Sequence, residues 1–236
     1  MDYDGFFQLV TKRRSIRSFK PDPIPDEYVE KIIDAARFAP SGGNSQPWEF
    51  MVLTDKEVKD RIVEIVKESN KSVYKIGQTR PPDERHPSDN KRLTHPGFKE
   101  APVFIILCGD KRLMDTFPLS AYLNKGEEIL VSSLASTFLY MVLAATSLGL
   151  ASQWVSATSE PFAQALIKEL LGVPRNYKLY DMMAVGYGKH QPAPRLVRNR
   201  DELTHYNHYD MNKHRTDEQV RKYINAVHKG RSTLPD

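Results

Sequence analysis

Apolar residues return at helical spacing several times along the chain. Val29, Ile32, Ile33 and Ala36 mark a helix over residues 26–39, with acidic residues in its first turn and Pro40 ending it. Residues 49–53 read as a strand, and Thr54-Asp55-Lys56-Glu57 as a capping box opening a helix to about residue 68. The unbroken apolar run PVFIILC, residues 102–108, predicts a buried strand. A long helix over residues 127–148 follows, with Gly149 as its C-terminal cap. Ser159 is placed to cap a helix through Leu171, where Leu166, Ile167, Leu170 and Leu171 line up and Gly172 and Pro174 close it. Residues 181–186 read as one more strand. Thr216 and Gln219 frame a second capping box, for a helix to about residue 228 with Val220, Tyr223, Ile224 and Val227 as its stripe. Helices and strands alternate and long helices dominate, which gives a single domain of α+β or α/β class. No repeat or low-complexity tract interrupts it.

Residues 70–100 break the pattern. They are polar, hold four prolines and show no periodicity, the signature of a functional lid or of a disordered surface loop. Tyr74, His86, His95 and Phe98 stand isolated in this stretch and could stack on, or hydrogen-bond to, a planar substrate. The lid reading takes Tyr74 and Phe98 as substrate contacts.

Composition narrows the class. The chain has 236 residues, 40% hydrophobic and 27% charged, with 16 Pro and 12 Gly, which is globular composition. The net charge of +4 sits in the tail: residues 189–236 carry 10 Lys/Arg against 6 Asp/Glu and hold five of the seven His. Such a diffuse excess argues against nucleic acid, where a concentrated basic stripe is expected. The single cysteine, Cys108, excludes an intrachain disulfide and a cysteine-based zinc site, and at the end of an apolar strand it reads as a buried structural thiol. The order of charges at the N-terminus is wrong for a signal peptide, so a cytoplasmic protein is expected. Residues 129–159 carry no charge and could span a bilayer, but six Ser/Thr interrupt residues 129–151 and no basic cluster flanks them. A helix buried in a core or a subunit interface fits better, and no membrane is expected.

Three motifs carry chemistry. Arg13-Arg14-Ser15-Ile16-Arg17 sets three guanidiniums and a hydroxyl in five residues, a donor set suited to a dianion, although a solvated basic run would look the same. The string APSGGNSQPW, residues 39–48, ends a helix in a Ser/Gly/Asn turn and leads into a strand. Its glycines allow close backbone approach, and Asn44 and Gln46 offer paired donors and acceptors that suit an imide edge. The bland alternative is a plain connecting loop. The third motif is Val185-Gly186-Tyr187-Gly188, with Arg195 and Arg198 beyond it. The tail cluster His205, Tyr206, His208, Tyr209 and His214 invites a metal, but without a Cys or a helical His pair, solvated or interface histidines fit better.

Taken in order, these motifs, with GLASQWVS at residues 149–156, resemble the flavin-dependent nitroreductase family over about residues 13–198. The resemblance implies an α+β fold with a central mixed sheet flanked by long helices, and an interlocked homodimer binding FMN in two sites at the subunit interface. Arg13, Arg14, Ser15 and Arg17 would hold the FMN phosphate and its N1/C2 edge. Pro40, Ser41, Gly42, Asn44 and Gln46 match the loop that reaches the flavin from the partner subunit. Gln153, Trp154, Val155 and Ser156 match the segment whose backbone lies against the ring and donates to N5. Gly186 and Gly188 form the turn of the third motif, and Arg195 and Arg198 match the phosphate cations beyond it, though their spacing departs from the family's Lys-x-Arg. Residues 1–200 are then the FMN-binding domain, with the insertion at about 70–100, and residues 201–236 a C-terminal extension with a helix.

The implied function is FMN-dependent oxidoreduction, passing hydride from NAD(P)H through flavin N5 to a small electron-poor molecule such as a nitroaromatic or quinone. No amino-acid nucleophile is required, and the chain has no G-x-S-x-G, H-E-x-x-H, P-loop or G-x-G-x-x-G motif. Reductive dehalogenation or flavin fragmentation on the same fold, and a non-catalytic flavin-binding regulator, are the alternatives.

Overall fold

A computed structural model describes residues 2–81, 96–190 and 195–228 of the chain. They fall into two compact units, Met1–His190 and Gln191–Asp236.

The first unit is built on β2, Val103–Asp110, whose residues are buried from Val103 to Gly109. A strand alternates its side chains, so one apolar run feeds two cores. Val103, Ile105 and Leu107 enter one hydrophobic cluster, and Phe104, Ile106 and Cys108 the other. Each such Ile, Leu or Phe contributes about 1.5–3 kcal/mol when taken from water. Around β2 the sheet runs in the order β1-β2-β4-β3, with β1 Trp48–Leu53, β3 Ala151–Val155 and β4 Tyr177–Gly186. All three ladders are antiparallel. The mixed sheet expected from the resemblance is corrected accordingly: among the described residues its parallel component is a single bridge, Ser15 to Ser152.

Helices cover both faces. On one lie α2, Asp26–Ala36, and the 29-residue α4, Leu119–Ser147, which supplies Leu130, Leu134, Phe138, Met141 and Val142 to the core. On the other lie α3, Lys56–Gly77, through Ile62, Val63 and Val66, and α5, Pro161–Leu171, through Ala163 and Ile167. Helix α1, Tyr3–Lys12, is capped by the Asp2 carboxylate at the Gly5 N–H (2.9 Å) and buries none of its residues.

Several boundaries move from those the sequence predicts. Helix α3 runs to Gly77, nine residues past the expected end, which the pair Glu68–Lys71 spans. Its cap is Asp55, accepting from Val58 N–H at 2.9 Å, and not Thr54. Helix α4 begins at Leu119, eight residues early. It ends as expected at Gly149, whose φ of +77° lets the Gly149 and Leu150 N–H groups bond back to Thr146 (3.1 Å) and Ala145 (2.9 Å). Ser159 does not cap α5, since its hydroxyl donates to the Ser156 carbonyl at 2.7 Å. Helix α4 is the one helix among the described residues long and apolar enough to cross a membrane, and half of its most apolar window is buried within the chain.

The second unit holds the short helix α6, Arg200–Leu203, and α7, Asp217–His228. The capping box of α7 is formed in both directions, Thr216 N–H to Gln219 Oε1 at 2.9 Å and Gln219 N–H to Thr216 Oγ1 at 3.3 Å. The expected apolar stripe is only half covered: Ile224 and Val227 are exposed, and Ala226 is buried instead.

Candidate functional site

Beyond α1 the chain turns extended at Ser15 and runs beside the sheet. Ile16 N–H donates to Ser152 O at 2.9 Å, Lys189 N–H to Ser18 O at 2.9 Å, and Lys20 N–H to Tyr187 O at 2.8 Å. Phe19, fully buried, fastens the segment and bridges Gly188. Three sequence-distant motifs are thereby brought to one rim: Arg13, Arg14, Ser15 and Arg17; the start of β3 at Ser152 and Gln153; and Gly186 to Gly188. Both glycines stand where a side chain would be crowded. A Cβ on Gly188 would lie 3.2 Å from Ala151 and from Ile16, and one on Gly186 would lie 2.4 Å from Pro102 Cδ.

The sequence gives no hint of a fourth participant. Gly97 opens a short 3-10 turn, Gly97–Glu100, pressed so tightly on Arg17 that a Cβ would sit 1.9 Å from the Arg17 carbonyl oxygen. Its neighbour Phe98 corrects the lid reading. It is 3% exposed and packs edge-on to Phe104 at 5.7 Å, so it is a core residue with no face left for a substrate. Tyr74 lies on α3, half-buried. His86 and His95 lie outside the described residues.

Loop 40–46 is strained. Gly43, Asn44 and Gln46 take φ of +60°, +51° and +44°, left-handed values that cost non-glycine residues about 1–3 kcal/mol each and collect at functional sites. Ser41 Oγ accepts from Gln46 N–H at 3.1 Å, and Gln46 Nε2 donates to Asn44 Oδ1 at 3.3 Å. The loop is fixed to α4: Gly42 N–H donates to Ser133 Oγ at 3.2 Å, and a Cβ on Gly42 would lie 2.3 Å from Ile129 Cγ2. From Ser133 to Ser147, where α4 ends and turns into β3, the helix rises roughly 21 Å. The loop therefore sits far along α4 from the rim at Ser15 and Ser152.

On β3, Gln153 Oε1 is buried with no hydrogen-bond partner among the described residues. Trp154 stacks on Phe138 with ring centres 4.0 Å apart, and its indole N–H donates to Asp181 Oδ2. Val155 enters the core, and Ser156 begins the 3-10 turn Ser156–Ser159.

Arg195 and Arg198 belong to the second unit, where the Arg198 guanidinium bonds Glu202 O (3.3 Å) and pairs with its carboxylate (3.6 Å). There His205 stacks on Tyr209 at 4.2 Å and accepts from Asp210 N–H at 3.0 Å, and Tyr209 Oη lies 3.3 Å from His214 Nδ1. These side chains staple the tail. No group of three metal-binding side chains occurs among the described residues. Cys108 is buried, and desolvation pushes its thiol up to about 11, which leaves it inert.

A cleft of about 730 Å³ lies elsewhere, between α3 and residues 96–102. Its lysines are engaged: Lys56 with Asp60, Lys67 with Glu64, Lys99 with Glu100, and half-buried Lys59 with the Ala101 and Pro102 carbonyls. The rim, with its convergent motifs, is the better candidate for chemistry.

Residues 10–187 match the Nitroreductase family. The chain belongs to the nitroreductase family. A protein of Archaeoglobus fulgidus provisionally named an NADH dehydrogenase/NAD(P)H nitroreductase is 29% identical over 182 residues, 77% of this chain and 84% of that one. Iodotyrosine deiodinase 1 of Sus scrofa is 34% identical over 208 residues, 82% of this chain, which spans 65% of that protein's length. The nitroreductase CinD of Lactococcus lactis, solved with chloramphenicol, superposes with a TM-score of 0.70 over 85% of this chain and 98% of its own, at 18% identity. The nitroreductase-family fold and an oxidoreductase activity follow from these matches.

Proposed function

We propose that the protein is a homodimeric FMN-dependent oxidoreductase that uses NAD(P)H to reduce a small electron-poor organic molecule, such as a nitroaromatic or quinone. The observation that carries this reading is the rim where Arg13, Arg14, Ser15 and Arg17 meet Ser152, Gln153 and Gly188. The residues fit the cofactor. The guanidiniums and the Ser15 hydroxyl suit a phosphate and an electron-rich heterocycle edge, and the orphaned Gln153 Oε1 is an acceptor ready for a ring N–H. FMN, when bound, supplies the centre that takes and gives hydride. The arginines near it stabilise the negative charge of its reduced form, and the backbone of residues 153–156 offers donors along the ring.

The loop from Pro40 to Gln46 serves the site of the second copy. Its strained Asn44 and Gln46 are exposed, and it is anchored at Ser133, roughly 21 Å along α4 from the helix end at Ser147 that leads to its own protomer's rim. Exposed Tyr3, Phe6 and Phe7 on α1, Phe38, and Leu119, Leu123 and Leu139 on α4 offer the apolar surface such an assembly would cover.

Purified protein should carry bound flavin, visible in its absorption spectrum, and should oxidise NADH or NADPH when a quinone or nitroaromatic is added. Arg17→Ala should lose more FMN than Lys12→Ala, which lies outside the rim. A colourless protein that binds no added FMN, or equal flavin occupancy in the two variants, would defeat the assignment. The likeness to iodotyrosine deiodinase 1 supports a second reading, reductive dehalogenation. Halide release from a halophenol, compared with quinone turnover, decides between them.

A further inference from the structure

Asp181 is 6% exposed, on the strand at the middle of the sheet, and the chemistry described so far does not use it. Its placement is built by a bulge. Leu107 of β2 faces Asp181 while Cys108 faces Leu179, so Tyr180 is an extra residue in β4. A bulge bends its strand and re-aims the neighbouring side chains. Trp154 is paired with Met183 across the β3–β4 ladder, which makes Asp181 its diagonal neighbour on the same face. The Trp154 indole N–H donates to Asp181 Oδ2, while Oδ1 has no partner among the described residues. Phe138 covers one face of the indole, and Tyr180 meets it edge-on at 6.2 Å. The ring is thus fixed by a face, an edge and its N–H, yet stays 38% exposed.

Stability does not explain the arrangement. An apolar residue of similar size at position 181 would avoid the cost of desolvating a carboxylate for one hydrogen bond. Burial pushes the Asp181 carboxyl above its ordinary value, against the pull of the Trp154 N–H. What the pair does hold is β3. This strand has five residues, lies at the sheet edge, and beyond the Ser15–Ser152 bridge has ladder support from β4 alone among the described residues. In its far half Val155 packs into the core on one face, and on the other Trp154 is the clamp.

We propose that Asp181 is a positioning residue: by holding the Trp154 indole it fixes the backbone of residues 153–156 in the form that receives the flavin ring. The flavin part rests on the function proposed above. Its test uses the full chain in a Trp48→Phe background, which leaves Trp154 as the sole tryptophan. Four variants are compared: Asp181→Asn, Asp181→Leu, Trp154→Phe, and the Asp181→Leu/Trp154→Phe double.

In the apo protein, Asp181→Leu should at least double acrylamide quenching of Trp154, and Asp181→Asn, whose amide oxygen still accepts, should leave it unchanged. By FMN titration, Asp181→Leu and Trp154→Phe should each weaken binding about tenfold, the size of one lost hydrogen bond to a charged group. The double variant should be no weaker than either single one, since both cut the same link, and Asp181→Asn should stay within about threefold of the parent. Parental FMN affinity in folded Asp181→Leu, or losses that add in the double variant, overturn the proposal. Should Asp181→Leu fail to fold, an unchanged affinity in Trp154→Phe overturns it alone. A parent that binds no FMN overturns the functional reading instead, and the indole lock is then decided by the quenching.

Discussion

Gly97 admits no side chain, because the Arg17 carbonyl oxygen occupies the space where a Cβ would go, 1.9 Å from it. Backbone cannot yield there as a flexible side chain would. Gly97→Ala should therefore cost about 3 kcal/mol, the upper end for overpacking, and lower the melting temperature correspondingly. Because the clash falls on Arg17, flavin affinity should drop in the fraction that still folds, which titration of the variant with FMN will show. A second residue, Asp110, links charge to stability. Its carboxylate is held by the Arg112 side chain (2.6 Å) and by Arg112 N–H (3.0 Å), with Asn176 at 3.3 Å, and its pKa falls to about 2. A lowered acid favours the fold while it is ionised. That contribution is complete above about pH 4 and is lost as pH falls through about 2. Thermal melts between those values should show a shallower fall for Asp110→Asn than for the parent. Phe98 teaches a limit of sequence reading at this scale: one aromatic in a polar stretch has no periodic partners to mark it as core, and only its edge contact with Phe104 does so.

Helix ends show most directly what local sequence can and cannot tell. Two adjacent residues, Thr54 and Asp55, could each begin α3, and the choice turns on which oxygen reaches a free N–H. Asp55 does, so Asp55→Ala should cost about 1 kcal/mol, and Thr54→Ala should fall within about 0.5 kcal/mol of the parent by denaturant melts. The capping box of α7 and the glycine stop of α4 were legible because every group involved lies within six residues. The extension of α3 to Gly77 was not. Its apolar residues Val73 and Ile76 are exposed and mark no buried stripe, and the pair Glu68–Lys71 ties only its first turn to the helix before it. β3 escaped for another reason. Five residues alternating Ser152, Gln153 and Trp154 look like loop, and their strand state is imposed by pairing with β4, thirty residues on. The rim is legible in outline, since its arginines and glycines stand in recognisable strings. Its holding contacts at Ser152, Gly188 and Gly97 depend on tertiary approach that no local pattern encodes.

As a whole molecule, the protein divides its proposed site between two distant parts of one protomer, the rim at Ser15 and the loop on Ile129 and Ser133 of α4. The reading requires a second copy to close the gap. Sedimentation at micromolar concentration should give a dimer of the 27.0 kDa chain, and a flavin-loaded monomer would rule out shared sites. The sheet order has a further consequence, for biosynthesis. Among the described residues β4 is the last strand to be made, and it occupies an inner position, between β2 and β3. Until residue 186 has left the ribosome, β2 has a partner on one side only, β3 has no strand beside it beyond the bridge to Ser15, and Phe19 has no Gly188 to close upon. Counted from the completion of β2, at ordinary elongation rates that interval lasts roughly 4–15 s. During it the most apolar strand of the protein stands with one edge open to any other nascent chain, so the last strand translated doubles as the protein's own guard against aggregation.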